Sequence, residues 1–178
     1  MLRFFCDLPP TLNQSLMPVR IKGRKVLIPD GEIISDTGSI FRDFGGTENE
    51  KLRLVHTPEA RVFREAAFYQ CLAVVNKQEL DFSKDEQYGI ILIVFLRRNS
   101  RDVDNNLKLI IDSVADACGV GHDRNIFKLY TEKIINKGKS HVWVEFGPIE
   151  EFILRVSNLI RLSDEDKIGI DSELWGER

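Results

Sequence analysis

The alternation of apolar and polar positions marks out most of the chain's elements. Tyr88 to Leu96, YGIILIVFL, is almost continuously apolar, which predicts a central strand covered on both faces. Beyond it the rhythm changes. Leu107, Ile110, Ile111, Val114 and Ala117 recur at steps of three and four, the stripe of a helix docked on a core, and Gly119 is its natural stop. Residues 2–8 read as a short strand ended by Pro9 and Pro10. Thr57, Pro58 and Glu59 supply an N-cap, a first-turn proline and a first-turn acid. They predict a helix to about Asn76, with Val62, Phe63, Ala66, Ala67, Gln70, Ala73 and Val74 on its buried side. Residues 125–135 alternate as a strand, NKGK supplies a turn, and His141 to Phe146 alternates as a returning strand, so the two are expected to form a hairpin. After Pro148, the spacing of Ile149, Phe152, Ile153, Val156 and Ile160 predicts a further helix.

Together these elements predict an α+β fold, a single compact mixed domain whose small sheet is flanked by helices. Residues 1–146 form the expected domain, and residues 147–178 an acidic, helical C-terminal extension. Residues 30–56 lose periodicity and become rich in Gly, Asp, Glu and Ser, so they read as an insertion. A chain of 178 residues, 43% hydrophobic and 30% charged, is long enough to bury a core. No apolar run approaches the length of a membrane span, and MLRFFCDLPP lacks the pattern of a secretory signal. Cys6, Cys71 and Cys118 are odd in number and far apart. They are expected to be buried thiols of a cytoplasmic protein with no membrane partner.

The candidate chemistry lies between the central strand and the strand after the helix. Asp102 and Asp104 stand at i and i+2, so in an extended segment their carboxylates point to one side and can share a cation. Asp104, Lys108 and Asp112 follow at four-residue steps, which places the ammonium of Lys108 between carboxylates or beside a bound phosphate. Asp104 is also placed to cap the helix. Asp123 lies in the loop after the helix. If the chain re-enters the same sheet there, Asp123 returns toward Asp102 and Asp104. Three carboxylates without His or Cys make an oxygen-only site, which favours Mg²⁺, or Mn²⁺, over zinc.

The net charge of -3 does not by itself suggest a nucleic-acid partner. The charge is unevenly divided, however. Residues 1–29 carry five basic and one acidic side chains, and residues 97–139 carry nine and six, while the acidity is concentrated in residues 30–60 and 147–178. A positive face can steer a polyanion whatever the net charge. Arg97, Arg98 and Arg101, beside the aspartates, and Lys22, Arg24 and Lys25, around a glycine near the N-terminus, are candidate phosphate contacts.

With these residues in view, the chain resembles the RusA family of Holliday-junction resolvases. Pro9, Pro10, Thr11, Leu12 and Asn13 are similar to the family's Pro-Pro-Ser-x-Asn-like run. Asp102, Val103, Asp104, Asn105, Asn106, Leu107 and Lys108 match its Asp-x-Asp-Asn-x-x-Lys. Gly119, Val120, Gly121, His122 and Asp123, with the strand to Lys133, are similar to its Gly-Val, Asp-Asp and downstream Lys. The resemblance covers most of residues 1–146. It implies a homodimer with a Mg²⁺-dependent acidic site in each subunit, nicking four-way DNA junctions symmetrically in recombination and repair. It also implies that Asp102, Asp104 and Asp123 are catalytic metal ligands, with Lys108 near the scissile phosphate, Asn105 and Asp112 in support, and Lys133 among the DNA contacts. His122 departs from the pattern, standing where the first of two adjacent acids is usual. Two other readings stay open: a metal-dependent nuclease or phosphodiesterase acting on RNA or simpler DNA, and an inactive protein that binds branched DNA.

Overall fold

The structure is a computed structural model and describes residues 1–10, 16–22, 25–27, 50–98, 107–120, 123–136 and 138–169. In chain order the elements are β1 (Leu2–Asp7), β2 (Leu16–Lys22), β3 (Lys25–Leu27), β4 (Glu50–His56), α1 (Pro58–Lys77), β5 (Tyr88–Leu96), α2 (Leu107–Ala117), β6 (Ile126–Ile135), β7 (His141–Pro148) and α3 (Ile149–Leu159). A short helix, α4, follows at 164–169. The fold is α+β. One sheet has four strands in the order β1-β7-β5-β6, and the other has three in the order β3-β2-β4. The chain divides into two units, Met1–Pro9 with Arg64–Arg178, and Pro10–Phe63.

In the larger unit β5 is the central strand, antiparallel to β7 on one side and parallel to β6 on the other. All nine of its residues are buried, as its unbroken apolar run requires. Ile91, Ile93 and Phe95 face one side and pack with Phe5, Ile134, Trp143, Phe152 and Leu159, so α3 covers that face. The face α3 presents matches its apolar spacing only in part: Phe152 is buried and Val156 packs against the core, whereas Ile153 and Ile160 are exposed and Leu159 is buried instead. An ion pair goes with this docking. Arg155 donates from Nε to both carboxylate oxygens of Glu145, at 3.0 and 2.8 Å, and from its terminal nitrogen to one of them at 2.8 Å. Glu145 is wholly buried on β7, and a buried carboxylate must be paired. On the opposite face Leu2, Phe4, Cys6, Ile90, Leu92, Val94, Val144 and Phe146 are equally buried. Burial pushes the Cys6 thiol up to about 12, with Asp7 and then Cys71 of α1 adding to the effect. All three cysteines are buried and free, as expected, and the Sγ atoms of Cys71 and Cys118 lie 4.0 Å apart.

Two further expectations are corrected. In α1 the Ala60 amide donates to Thr57 Oγ1 at 3.3 Å, so the predicted N-cap forms. The buried residues are nevertheless Ala60, Ala67, Cys71 and Val75, while Val62, Ala66, Gln70 and Ala73 are exposed. A helix with small apolar residues around most of its circumference does not declare its buried face by spacing alone. The expected hairpin of 125–135 with 141–146 does not form, because β5 lies between β6 and β7. Asn136 and Ser140 therefore both lie at the end of β5. Asn136 N–H donates to the Leu96 carbonyl at 2.8 Å, and Arg97 N–H donates to Ser140 Oγ at 2.9 Å. Alternation identifies a strand but not its neighbour.

In the smaller unit β2 pairs antiparallel with β3, Lys22 opposite Lys25, and with β4 from Leu16 opposite His56 to Lys22 opposite Glu50. The N-terminal basic segment thus contributes a hairpin. The last residues of the expected insertion form a strand, and residues 30–49 lie outside the described residues. Among the described residues, no helix is long and apolar enough to cross a membrane.

Candidate active site

The site is built on α2 and on the loop that follows it. Leu107, Leu109, Ile110, Ser113, Val114, Ala115 and Ala117 are the buried residues of α2, close to the predicted stripe. The helix ends where expected. Gly119 takes φ of 68°, and the amides of Gly119 and Val120 donate to the carbonyls of Asp116 and Ala115, each at 3.2 Å. This double closure needs a left-handed residue at Gly119. The outer side of the helix is thereby fixed, with Lys108 and Asp112 one turn apart upon it. Arg64 of α1 pairs with Asp116, and the Ser113 hydroxyl sits 2.7 Å from the Leu109 carbonyl and 3.2 Å from that of Arg64.

Past the helix end the chain turns back, and a single 3-10 turn, Asp123–Asn125, leads into β6. Here the fold joins residues fifteen apart in sequence. Lys108 Nζ donates to Asp123 Oδ2 at 2.8 Å and to Asp112 Oδ1 at 3.1 Å. Hydrogen bonding by Asp123, and then by Asp112, raises the Lys108 pKa above its ordinary value of 10.5, against a smaller opposing effect of burial. The group is therefore an ammonium at neutral pH and not a general base. Its side chain is 73% exposed and that of Asp123 48%, so both are open to a polyanionic ligand. Asp112, at 23%, is the more enclosed member and holds Lys108 toward Asp123.

Asn125, which spacing does not mark, fastens this loop. Its Nδ2 donates to the carbonyls of Val120, at 2.8 Å, and Lys84, at 2.9 Å. No local signal reveals the second contact, because Lys84 is 41 residues away.

The other candidate residues fall into three groups. Arg97 and Arg98 are exposed at the end of β5, and Lys133 of β6 is opposite Val94 near that same end. β6 begins beside Tyr88, so the Asp123 turn enters the sheet at the other end of β5, a strand length of roughly 26 Å at the usual rise. Lys22 and Lys25 are in the hairpin of the smaller unit. Asp102, Asp104, Asn105, Arg24 and Arg101 lie outside the described residues.

The donors fit a hard divalent cation. Two carboxylates each place an oxygen on one ammonium, so a single small cation lies within reach of both. Mg²⁺ is commonly held by one or two carboxylates, with water and substrate oxygens completing its shell. Among the described residues no group of three His, Cys, Asp or Glu side chains converges in this way. Any further protein ligand would come from residues outside that set.

No family model matches the chain. Over 60 residues, 34% of its length, it is 35% identical to the crossover junction endodeoxyribonuclease RusA of Aquifex aeolicus (strain VF5). The match covers 48% of that protein, so the chain spans about half the length of the curated relative it resembles.

Proposed function

We propose that this chain is a Mg²⁺-dependent endonuclease of branched DNA that acts as a homodimer and nicks four-way junctions symmetrically. The observation that carries the reading is the Lys108 ammonium held between Asp112 and Asp123, with the partial similarity to a crossover junction endodeoxyribonuclease behind it. Asp102, Asp104 and Asp123 would hold the metal, with Asn105 in support. Asp104 stands four residues before Lys108.

Phosphodiester hydrolysis needs an attacking water, neutralisation of the charge that grows on the phosphoryl oxygens, and stabilisation of the leaving 3′ oxygen. A carboxylate-held divalent cation supplies Lewis acidity for these steps. The chain's own share is electrostatic and geometric. Lys108 stays protonated and neutralises charge on a non-bridging phosphate oxygen. Asp112 keeps that ammonium from swinging into solvent. Arg97, Arg98 and Lys133 contact phosphates away from the cut, and Lys22 and Lys25 supply phosphate contacts of their own. Junction selectivity then follows from two sites, one in each subunit, that face the two exchanging strands.

The test is cleavage of a labelled immobile four-way junction beside a linear duplex and a single strand, in Mg²⁺ or EDTA, by wild type and Asp104→Asn. Paired nicks in the junction alone, lost in EDTA and in the variant, with junction binding retained, are expected. Equal cutting of every substrate would move the function to a general nuclease, and tight junction binding without cutting to a binding protein. Light scattering should return a dimer, and a monomer would count against symmetric resolution.

A further inference from the structure

We propose that Asn125 is a positioning residue for Asp123, a clamp that sets the catalytic carboxylate against Lys108 through backbone hydrogen bonds. The inference rests on the reading of Asp123 as a metal ligand. Both atoms that face Nδ2 of Asn125 are carbonyl oxygens, so only the amide nitrogen can occupy that place, and it uses both of its protons there.

Each carbonyl belongs to backbone that the core holds. Val120 is fully buried and closes the end of α2 through its own amide. Lys84 lies in the turn before β5, and that turn is fastened from inside. The hydroxyl of Tyr88, a fully buried residue, donates to the Ser83 carbonyl at 2.8 Å. Asn125 therefore joins two fixed points, and Asp123 precedes it by two residues in the same short turn. The Asp123 side chain itself is 48% exposed, so burial does little to hold it. Without the clamp, the turn that carries Asp123 loses both of these bonds to fixed backbone, and the carboxylate gains freedom relative to Lys108. Residues that orient a ligand from behind commonly matter to a metal site as much as some of the ligands.

The experiment compares wild type with Asn125→Ala and with Asn125→Asp, which keeps the shape but sets a carboxylate oxygen against two carbonyls. Three quantities are read: hydrogen exchange of peptides covering 119–125, Mn²⁺ affinity by electron paramagnetic resonance, and four-way-junction affinity in EDTA. Faster exchange confined to 119–125, Mn²⁺ affinity weakened about ten-fold, and unchanged junction affinity are expected, with exchange in β5 and β7 as in wild type. Unchanged loop exchange in both variants would overturn the clamp. A loosened loop with wild-type Mn²⁺ affinity would overturn the positioning role, and so would weaker Mn²⁺ binding accompanied by faster exchange throughout β5. Failure of the underlying reading looks different: the wild type would bind no Mn²⁺, or Asp123→Asn would bind it as well as wild type.

Discussion

Held between Asp112 and Asp123, the Lys108 ammonium keeps two carboxylates together that would otherwise repel each other. Lys108→Ala should lower the rate of junction cleavage by about 10²-fold, the order seen when one preorganised charge-stabilising donor is lost. Mn²⁺ binding, by contrast, should persist or tighten, because a competing cation has been removed from the carboxylates. Rate and metal affinity measured on the same preparation separate these effects. Tyr88 illustrates a different use of a buried polar atom. Burial, reinforced by its hydrogen bond with Glu86, pushes its hydroxyl up to about 12 from an ordinary 10.0. The unfolded chain gives up this proton first. The stability it contributes is thus complete below pH 10, falls as pH rises, and is lost through about pH 12. Tyr88→Phe should flatten the decline in urea-unfolding free energy over that window, with a smaller stability at neutral pH from the missing bond to Ser83.

At the scale of elements, β5 and α3 depend on one close approach. A Cβ on Gly89 would overlap the Cβ, Cγ and Cδ2 atoms of Phe152, so the strand admits the helix only because the residue there is glycine. Gly89→Ala should cost about 1–3 kcal/mol in denaturant unfolding. Combined with Phe152→Ala it should cost less than the two single changes together, because the overlap with the ring atoms is removed and only that with the Cβ remains. A simple sum of the two effects would show that α3 shifts without strain. The docking of α3 is a related case. Its apolar residues admit more than one docking face, and the Arg155 fork on buried Glu145 is satisfied by one of them. The acidic tail is also tied down in part. Lys167 of α4 reaches Glu132 of β6 at 2.6 Å, and Ser163 and Asp166 cap the start of that helix reciprocally.

For the whole molecule, a net charge of -3 makes local distribution decisive. Ser140, bonded to the Arg97 amide, sets its neighbour Lys139 beside the strand end that carries Arg97 and Arg98, although Asp7 lies 2.9 Å from Lys139 and offsets part of its charge. This basic margin and the Asp123 turn belong to opposite ends of β5, so a polyanion that touches both must be extended. Arg97→Ala with Arg98→Ala should weaken four-way-junction and duplex binding alike. It should also reduce the slope of log affinity against log salt by about 2, as two lost phosphate contacts require. The rate of cleavage at saturating junction should change little. An unaltered salt slope would remove these arginines from the interface.

By itself the sequence determined those features whose causes lie within a few residues. The unbroken apolar run of β5, the stripe of α2 and its stop at Gly119, the cap at Thr57 and the strand rhythm of β6 and β7 are written in neighbouring side chains and realised nearly as read. The spacing of Lys108 and Asp112 was equally local. What only the tertiary structure decided depends on residues far apart. These are the insertion of β5 between β6 and β7, the buried faces of α1 and α3, the closure of Asp123 on Lys108, and the grip of Asn125 on the Lys84 carbonyl. Alternation does not name a strand's neighbour, and apolar spacing does not weigh a buried ion pair. A side-chain amide shows no sign in sequence of the distant carbonyl that it will hold.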